Sequence, residues 1–436
     1  MIMLVRSFVE RSPWFLPLLM LTALVVRTGL LIKTRPDREL QKYEQVTLAR
    51  SLAHEGRYAM AWPYPPADAE RAKLWSGTPP YRGAFMPPAI PAVYAGILLV
   101  AGDAPSTWLG IVIAQILLAT ALIPLLVALG AAVHSVAAGR WAALLSVFYI
   151  PSLQGAVVLS GAIFYQLALP LVLLLLVRAI HHGPSTARWA AVGLCTGLLC
   201  LMRSEFVFIG PLVITSGALL MNGGIGQRMR MWTVSAVCAI ALIAPWTVRN
   251  VSVFDQVVPV STHPWRETWR GFNDRASGSG YAADGVEIWE SHARTPEIIA
   301  ALDRVPVNDR FEIEADKIFR AEVLRFWSEQ PLRSLQLAVT KVALFWTVDP
   351  HYPMPMRWLY LGVSAITATF VLIGFTVALR QSAARKVAPI LITALLYSGV
   401  VALTYVLPRY QAYTWTAMLP LGGIAVVVLL KKFDRA

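Results

Sequence analysis

Apolar residues gather into ten long runs separated by polar connections: 14–32, 106–129, 141–158, 160–177, 189–203, 205–221, 232–248, 357–379, 387–407 and 410–430. A helix rises 1.5 Å per residue, so about 20 residues cross roughly 30 Å of hydrocarbon. Inside hydrocarbon only a helix or a closed barrel satisfies its own backbone. The pattern therefore predicts an all-α polytopic membrane protein. Two further apolar pieces, 88–101 and 335–348, are each about 21 Å long as helix. They suit tilted, re-entrant or interfacial segments rather than full spans.

Composition agrees. The chain has 436 residues, 57% apolar and 14% charged, with a mean hydropathy of +0.58. An average soluble domain carries about 25% charged residues. Cys195, Cys200 and Cys238 all sit inside apolar runs, where a thiol packs as a small hydrophobe. They indicate neither a disulfide framework nor a metal site. The first run follows Arg6 and Arg11 and resembles a signal peptide. Its length, the internal Arg27 and the lack of a small-residue cleavage site make it an uncleaved first span.

Charge sets the orientation. If the two short pieces do not cross, one set of short connections holds Arg6, Arg11, Arg140, Arg178, Arg188, Arg228, Arg230, Arg380, Arg385, Lys386, Lys431, Lys432 and Arg435. Thirteen bases stand there against Glu10 and Asp434, which is +11 of the net +13. By the positive-inside rule this side is cytoplasmic, with both termini on it. The basic balance then reflects topology and anionic lipid, not nucleic acid.

The other side has two long loops, 33–87 and 249–334, holding twenty of the twenty-five acidic residues. Loops this long are uncommon unless functional or disordered, and their aromatic content argues against disorder. Within the second, 311–330 (FEIEADKIFRAEVLRFWSEQ) has apolar residues at helical spacing among charges. With 335–348 it predicts an amphipathic helix along the membrane surface. No internal repeat or low-complexity tract is seen. The chain reads as one integral domain, 1–436.

Several short motifs recur in a fixed order. Tyr43-Glu44 precedes Leu48-Ala49-Arg50-Ser51-Leu52 and Gly56-Arg57-Tyr58. Gly83-Ala84-Phe85-Met86-Pro87-Pro88 leads back toward the membrane, followed by Pro91 and Tyr94. Leu201-Met202-Arg203-Ser204-Glu205 breaks two runs, and Pro245-Trp246-Thr247-Val248-Arg249-Asn250 opens the second loop. Val258-Pro259-Val260-Ser261, Trp269-Arg270-Gly271-Phe272-Asn273 and Pro408-Arg409-Tyr410 follow. Together, over about residues 14–430, these resemble the GT-C superfamily of membrane glycosyltransferases. They are most similar to the family-39 type, which includes protein mannosyltransferases and the aminoarabinose transferase of lipid A. Departures from that pattern are Gln41 where many relatives have an acid, Arg57 in place of a second glycine, and Phe272-Asn273 for Asn-Asn.

The resemblance implies a GT-C-like helical bundle with two long extracytoplasmic loops carrying juxtamembrane helices. It implies a polyprenyl-phosphate-linked sugar as donor and a lipid, polysaccharide or protein as acceptor, in the inner membrane of a cell envelope. Such a transfer needs a carboxylate to take the acceptor proton, a contribution of about 10²–10⁴-fold. It also needs cations at the departing phosphate, about 1.5–3 kcal/mol per charge-assisted bond. Glu44 is the candidate base, set against a surface carboxylate pairing with Lys42 or Arg50. Asp37 and Glu39 are its reserves. Their D-x-E spacing could suggest a divalent metal, but beside Arg35 and Arg38 it reads as a solvated charge cluster, and no metal is expected to be required.

Arg82, Arg203, Arg249 and Arg409 are the candidate phosphate residues, with Tyr43 beside the base. Against the first three stand a loop arginine, an Arg203–Glu205 pair or snorkelling, and an interface anchor; Arg409 would close the site from the last span. Arg27 reads as a snorkelling side chain. Trp265, Trp269 and Trp289 read mainly as interface packing. His181-His182 and Glu287-x-x-Glu290-x-His292 lack metal spacing. The outer turn 149–160 has no acid where some relatives carry one.

A secondary transporter would show an internal repeat, mid-membrane ionisable residues and short outer loops, the reverse of this chain. A non-catalytic relative serving as an assembly partner stays open because of Gln41. An O-antigen ligase or polymerase is the nearest enzyme rival.

Overall fold

A computed structural model of the chain describes residues 2–60, 81–288, 295–351, 357–380 and 384–433. In order the helices are α1 (Ile2–Arg11), α2 (Phe15–Thr34), α3 (Glu44–Glu55), α4 (Ala89–Ala101), α5 (Pro105–Thr120), α6 (Leu122–Val133), α7 (Val136–Phe148), α8 (Ile150–Val157), α9 (Ala162–His181) and α10 (Thr186–Met202). The rest are α11 (Phe206–Leu220), α12 (Ile225–Phe254), α13 (Pro264–Arg270), α14 (Pro296–Asp303), α15 (Phe311–Glu329), α16 (Pro331–Trp346), α17 (Arg357–Arg380), α18 (Ala384–Leu403) and α19 (Pro408–Phe433). Among the described residues there is no strand, only isolated bridges pairing Ser279 with Val406 and Tyr281 with Glu287.

Local chemistry sets many of the boundaries. Proline opens α5, α13, α14 and α16, where its missing N–H costs nothing. The Ser135 and Thr295 hydroxyls cap α7 and α14, satisfying otherwise orphaned amides. Gly56, at φ +63°, ends α3 in the left-handed conformation that lacks a penalty only for glycine.

Among the described residues seven helices are long and apolar enough to cross a membrane: α2, the continuous α5–α6, α9, α12, α17, α18 and α19. The protein is a multi-pass membrane protein. The run 141–158 differs from its expectation: it is divided between α7 and α8, bent by 67° at Tyr149. What the pattern read as an outer turn at 149–160 thus begins with a helix, since Pro151 sits at the start of α8 where proline is tolerated. α10 and α11 are apolar but shorter.

α19 is the centre of the bundle, packed by α7, α9 and α17 and 83% buried over its apolar window, whereas α12 is 17% buried and peripheral. Close crossings use glycine. A Cβ at Gly374 would overlap the Leu421 carbonyl, and one at Gly423 the Ala138 carbonyl. Small residues bring helix backbones together where lipid supplies no hydrophobic drive.

The two long loops share their own core. Leu48, Tyr58, Tyr81 and Phe85 from the first pack on Trp269, Ile298, Phe311, Phe319 and Val323 of the second. α15 is a helix as its amphipathic pattern suggested, and its apolar face covers protein. α16 carries Leu332, Leu335 and Val339 exposed at helical spacing. Trp269 is also interior, packed on Phe319 at 5.0 Å. Trp265 meets Trp327, and Trp289 lies outside the described residues. Arg27 departs from expectation as well. Its side chain is fully buried, and none of its nitrogens finds an acceptor among the described residues.

Candidate functional site at the loop end of the bundle

The sequence-derived residues fall into three separate settings. Glu44 is the first residue of α3 and half-buried. Its expected partners are engaged elsewhere: Lys42 pairs with Glu39 at 2.9 Å, and Arg50 with Asp103 at 2.8 Å. A carboxylate at this helix start is favoured by the macrodipole, by about 0.3–1 kcal/mol. Tyr43, the residue before it, is partly buried, and burial pushes its phenol up to about 12. Asp37 is not solvated as expected. It is buried and bound through both oxygens by Arg35 at 2.9 and 2.7 Å, a pairing that lowers its pKa. Asp37 and Glu39 are thus both occupied. Among the described residues no His, Cys, Asp and Glu side chains form a group of three able to hold a metal.

The second setting is a cleft of about 380 Å³ between the end of α3, the start of α4 and the end of α12. Leu52, Pro88, Ala92 and Val253 supply apolar wall, while Arg57, Arg82 and Arg249 supply charge. On the same helices, α4 exposes Val93 and Ile97, and α12 exposes Val248 and Val251. Tyr58 closes the inner side, donating to the Met86 and Pro87 carbonyls and meeting Trp246 edge-on.

Two arginines of this cleft differ sharply. Arg82 is held by Asp309, which accepts from its backbone N–H (2.7 Å), Nε (3.0 Å) and Nη2 (2.6 Å). That makes Arg82 a clamp between the loops. Arg249 donates to the Gly83 carbonyl (2.7 Å) and Asn250 Oδ1 (3.1 Å) and lies over Trp246 at 4.9 Å. Among the described residues no carboxylate forms an ion pair with it.

The third setting is deeper. Arg203 joins α10 to α11, binds Glu205 and lies within 5.3 Å of Tyr165, Tyr410 and Tyr413. Glu205 also accepts from Tyr397 (2.9 Å). Nearby, α13 aligns His263, Arg266, Glu267 and Arg270. Glu267 takes hydrogen bonds from Arg266 (2.5 Å) and Tyr405 (2.6 Å), and Tyr410 donates to Tyr405 (2.8 Å). Although burial opposes it, the Arg266 and Arg270 guanidiniums hold Glu267 down at about 2. Burial pushes His263, stacked on Phe85 at 4.2 Å, down to about 4.

The structure thus brings Arg82 and Arg249 together. It does not bring Glu44 or Arg203 to the same cleft. The Arg409 side chain lies outside the described residues. Sequence reasoning missed the α13 cluster, although the spacing of His263, Arg266, Glu267 and Arg270 on one helix was its available signal.

No family model matches the chain, and no curated protein matches it. Solved structures do. The apo oligosaccharyltransferase of Archaeoglobus fulgidus superposes with a TM-score of 0.55 at 12% identity, over 97% of this chain and 51% of its own length. The Archaeoglobus fulgidus oligosaccharyltransferase AglB in complex with an inhibitory peptide and a dolichol-phosphate gives 0.56 at 13%, with the same coverage. ArnT from Cupriavidus metallidurans bound to undecaprenyl phosphate gives 0.40 at 13%, over 89% of this chain and 74% of its own. The chain spans about half the length of the oligosaccharyltransferases it matches. The two oligosaccharyltransferase likenesses show the fold alone, an all-α polytopic membrane architecture.

Proposed function

We propose that this protein is a glycosyltransferase that moves a sugar from a polyprenyl-phosphate donor to a lipid, polysaccharide or protein acceptor. The observation that carries the reading is Arg249: a guanidinium with no carboxylate ion-pair partner among the described residues, in a cleft whose apolar wall is Leu52, Pro88, Ala92 and Val253. A phosphate with a long prenyl tail matches that arrangement, charge beside apolar wall. The dolichol-phosphate held by the similarly folded oligosaccharyltransferase supports it. We place both termini in the cytoplasm and the two loops on the extracytoplasmic side of the inner membrane, from the segregation of basic residues.

In the proposed reaction the acceptor oxygen or nitrogen attacks the anomeric carbon and loses its proton to a carboxylate; Glu44, at the opposite end of α3 from the cleft, serves as that base only if donor binding brings the start of α3 to the sugar. The bond from that carbon to the phosphate oxygen breaks, and the electron pair leaves on the phosphate. Arg249 neutralises the leaving group, so no general acid is required. Arg57 lies nearest to assist; Arg82 keeps the loops in register through Asp309. Glu44 suits the role of base in being free of any ion pair or hydrogen bond among the described residues.

Glu44→Gln should lower transfer by about 10²–10⁴-fold with unchanged expression and melting temperature, measured with polyprenyl-phosphate sugars in reconstituted vesicles. Full activity in that variant sinks Glu44 as base. A second reading, a non-catalytic assembly partner, is favoured by one observation: Glu44 does not line the Arg249 cleft. Donor binding without turnover for any polyprenyl-linked sugar would select it.

A further inference from the structure

Behind the cleft stands a carboxylate that the proposed chemistry does not use. Glu312, in the first turn of α15, is 1% exposed. Its Oε2 accepts from the Ala84 amide at 2.8 Å and from the Thr262 hydroxyl at 2.6 Å. Its Oε1 has no hydrogen-bond partner among the described residues and abuts Gly83, where any Cβ would overlap it. Gly83 in turn presents its carbonyl to Arg249 and its N–H to the Tyr58 carbonyl. A single buried carboxylate therefore sets the backbone that Arg249 leans on.

The charged surroundings of Glu312 are few. Among the described residues Arg249, from α12, is the cation that favours its ionised form, beside the Thr262 and Ala84 hydrogen bonds. Tyr58, from the first loop, keeps its proton because burial raises it. On the same stretch of chain Asp309 is bound to Arg82, and Asp316 caps the Trp265 and Arg266 amides at 3.3 and 2.9 Å. His263, next to Thr262, is held neutral by burial.

We propose that Glu312 is a positioning residue of the anion cleft that takes up a proton when an anion binds Arg249. The reason is electrostatic. An anion on Arg249 cancels the charge favouring the Glu312 carboxylate and adds like-charge repulsion through a poorly solvated backbone layer. Burial already pushes Glu312 up to about 7, so small changes move its proton at neutral pH. The proposal rests on the anion-binding reading of the cleft and is independent of which sugar is transferred, or whether one is.

The test is calorimetric titration of the full chain in nanodiscs with citronellyl sulfate, an amphiphilic anion that does not itself titrate near neutrality. Measurements at pH 6, 7 and 8, in buffers of different ionisation enthalpy, report proton uptake. The wild type should take up a fraction of a proton near pH 7, and binding should weaken by about three- to tenfold from pH 6 to 8. Glu312→Gln should abolish both the uptake and the pH dependence. Thr262→Val, which removes one bond to the carboxylate and keeps the fold's volume, should shift the midpoint upward. Wild-type binding with neither uptake nor pH dependence overturns the proposal, as does an unchanged profile in Glu312→Gln. Failure of the wild type to bind at all overturns the cleft reading and the proposal with it.

Discussion

Six arginines gather at the loop end of the bundle in two groups that look alike in the sequence and differ in what stands beside them. Arg203, Arg266 and Arg270 form the inner group, compensated by Glu205 and Glu267 and enclosed by tyrosines. Arg57, Arg82 and Arg249 form the outer group, where among the described residues Arg82 alone has a carboxylate ion pair and Arg249 leans on a carbonyl and an amide oxygen. The inner group has the character of architecture and the outer one that of a site with charge to spare. A buried cation whose partner is already present gains little from a ligand; one satisfied by neutral acceptors gains a full charge interaction.

The largest expected effect tests the inner group. Glu205→Gln leaves Arg203 buried without its anion and should cost about 3–5 kcal/mol, read as a large fall in melting temperature in detergent. An unchanged melting temperature would mean that the tyrosines alone hold Arg203, and the contrast between the groups would fail. Next comes Arg249→Met, which should weaken binding of a prenyl phosphate by about ten- to a hundredfold, one charge-assisted bond's worth, while stability stays near the wild type. Equal binding would remove the outer group as a site.

Acid titration separates the groups by sign. The folded-state pKa of Glu267 is depressed to about 2, so its stabilisation is complete above its usual value near 4.5 and is lost as pH falls toward 2. That of Glu312 is raised to about 7, so the folded state holds its proton more tightly, and stability from this group falls as pH rises from about 4.5 through 7. Melting curves of Glu267→Gln and Glu312→Gln against pH should therefore lose slopes of opposite sign. Parallel curves would contradict the electrostatic difference. The smallest effect is expected at Arg82→Ala: its side chain is half exposed, so the lost clamp should cost about 1 kcal/mol or less and change anion affinity little. A loss as large as that of Arg249→Met would make Arg82 a ligand residue after all.

Much of the fold was legible because its causes are local. Each of the ten apolar runs is helical in the structure, proline and glycine mark several of the boundaries, and the two polar stretches are the loops. Amphipathic spacing also marked α15 as a helix, but not what its apolar face covers. That face meets Trp269 and Phe85, and a period of 3.6 cannot distinguish a protein core from lipid.

The chain's own sequence determined the helical membrane class, the segregation of basic and acidic connections, and which arginines flank the loops. Tertiary structure alone decided which of those arginines is held in an ion pair. Asp309 reaches Arg82 across 227 positions and Tyr405 reaches Glu267 across 138, while Arg27 is buried without an acceptor among the described residues instead of snorkelling. Hydrophobic periodicity depends on neighbours in sequence, so it can be read there; the free charge of a side chain depends on partners that only folding brings within about 3 Å.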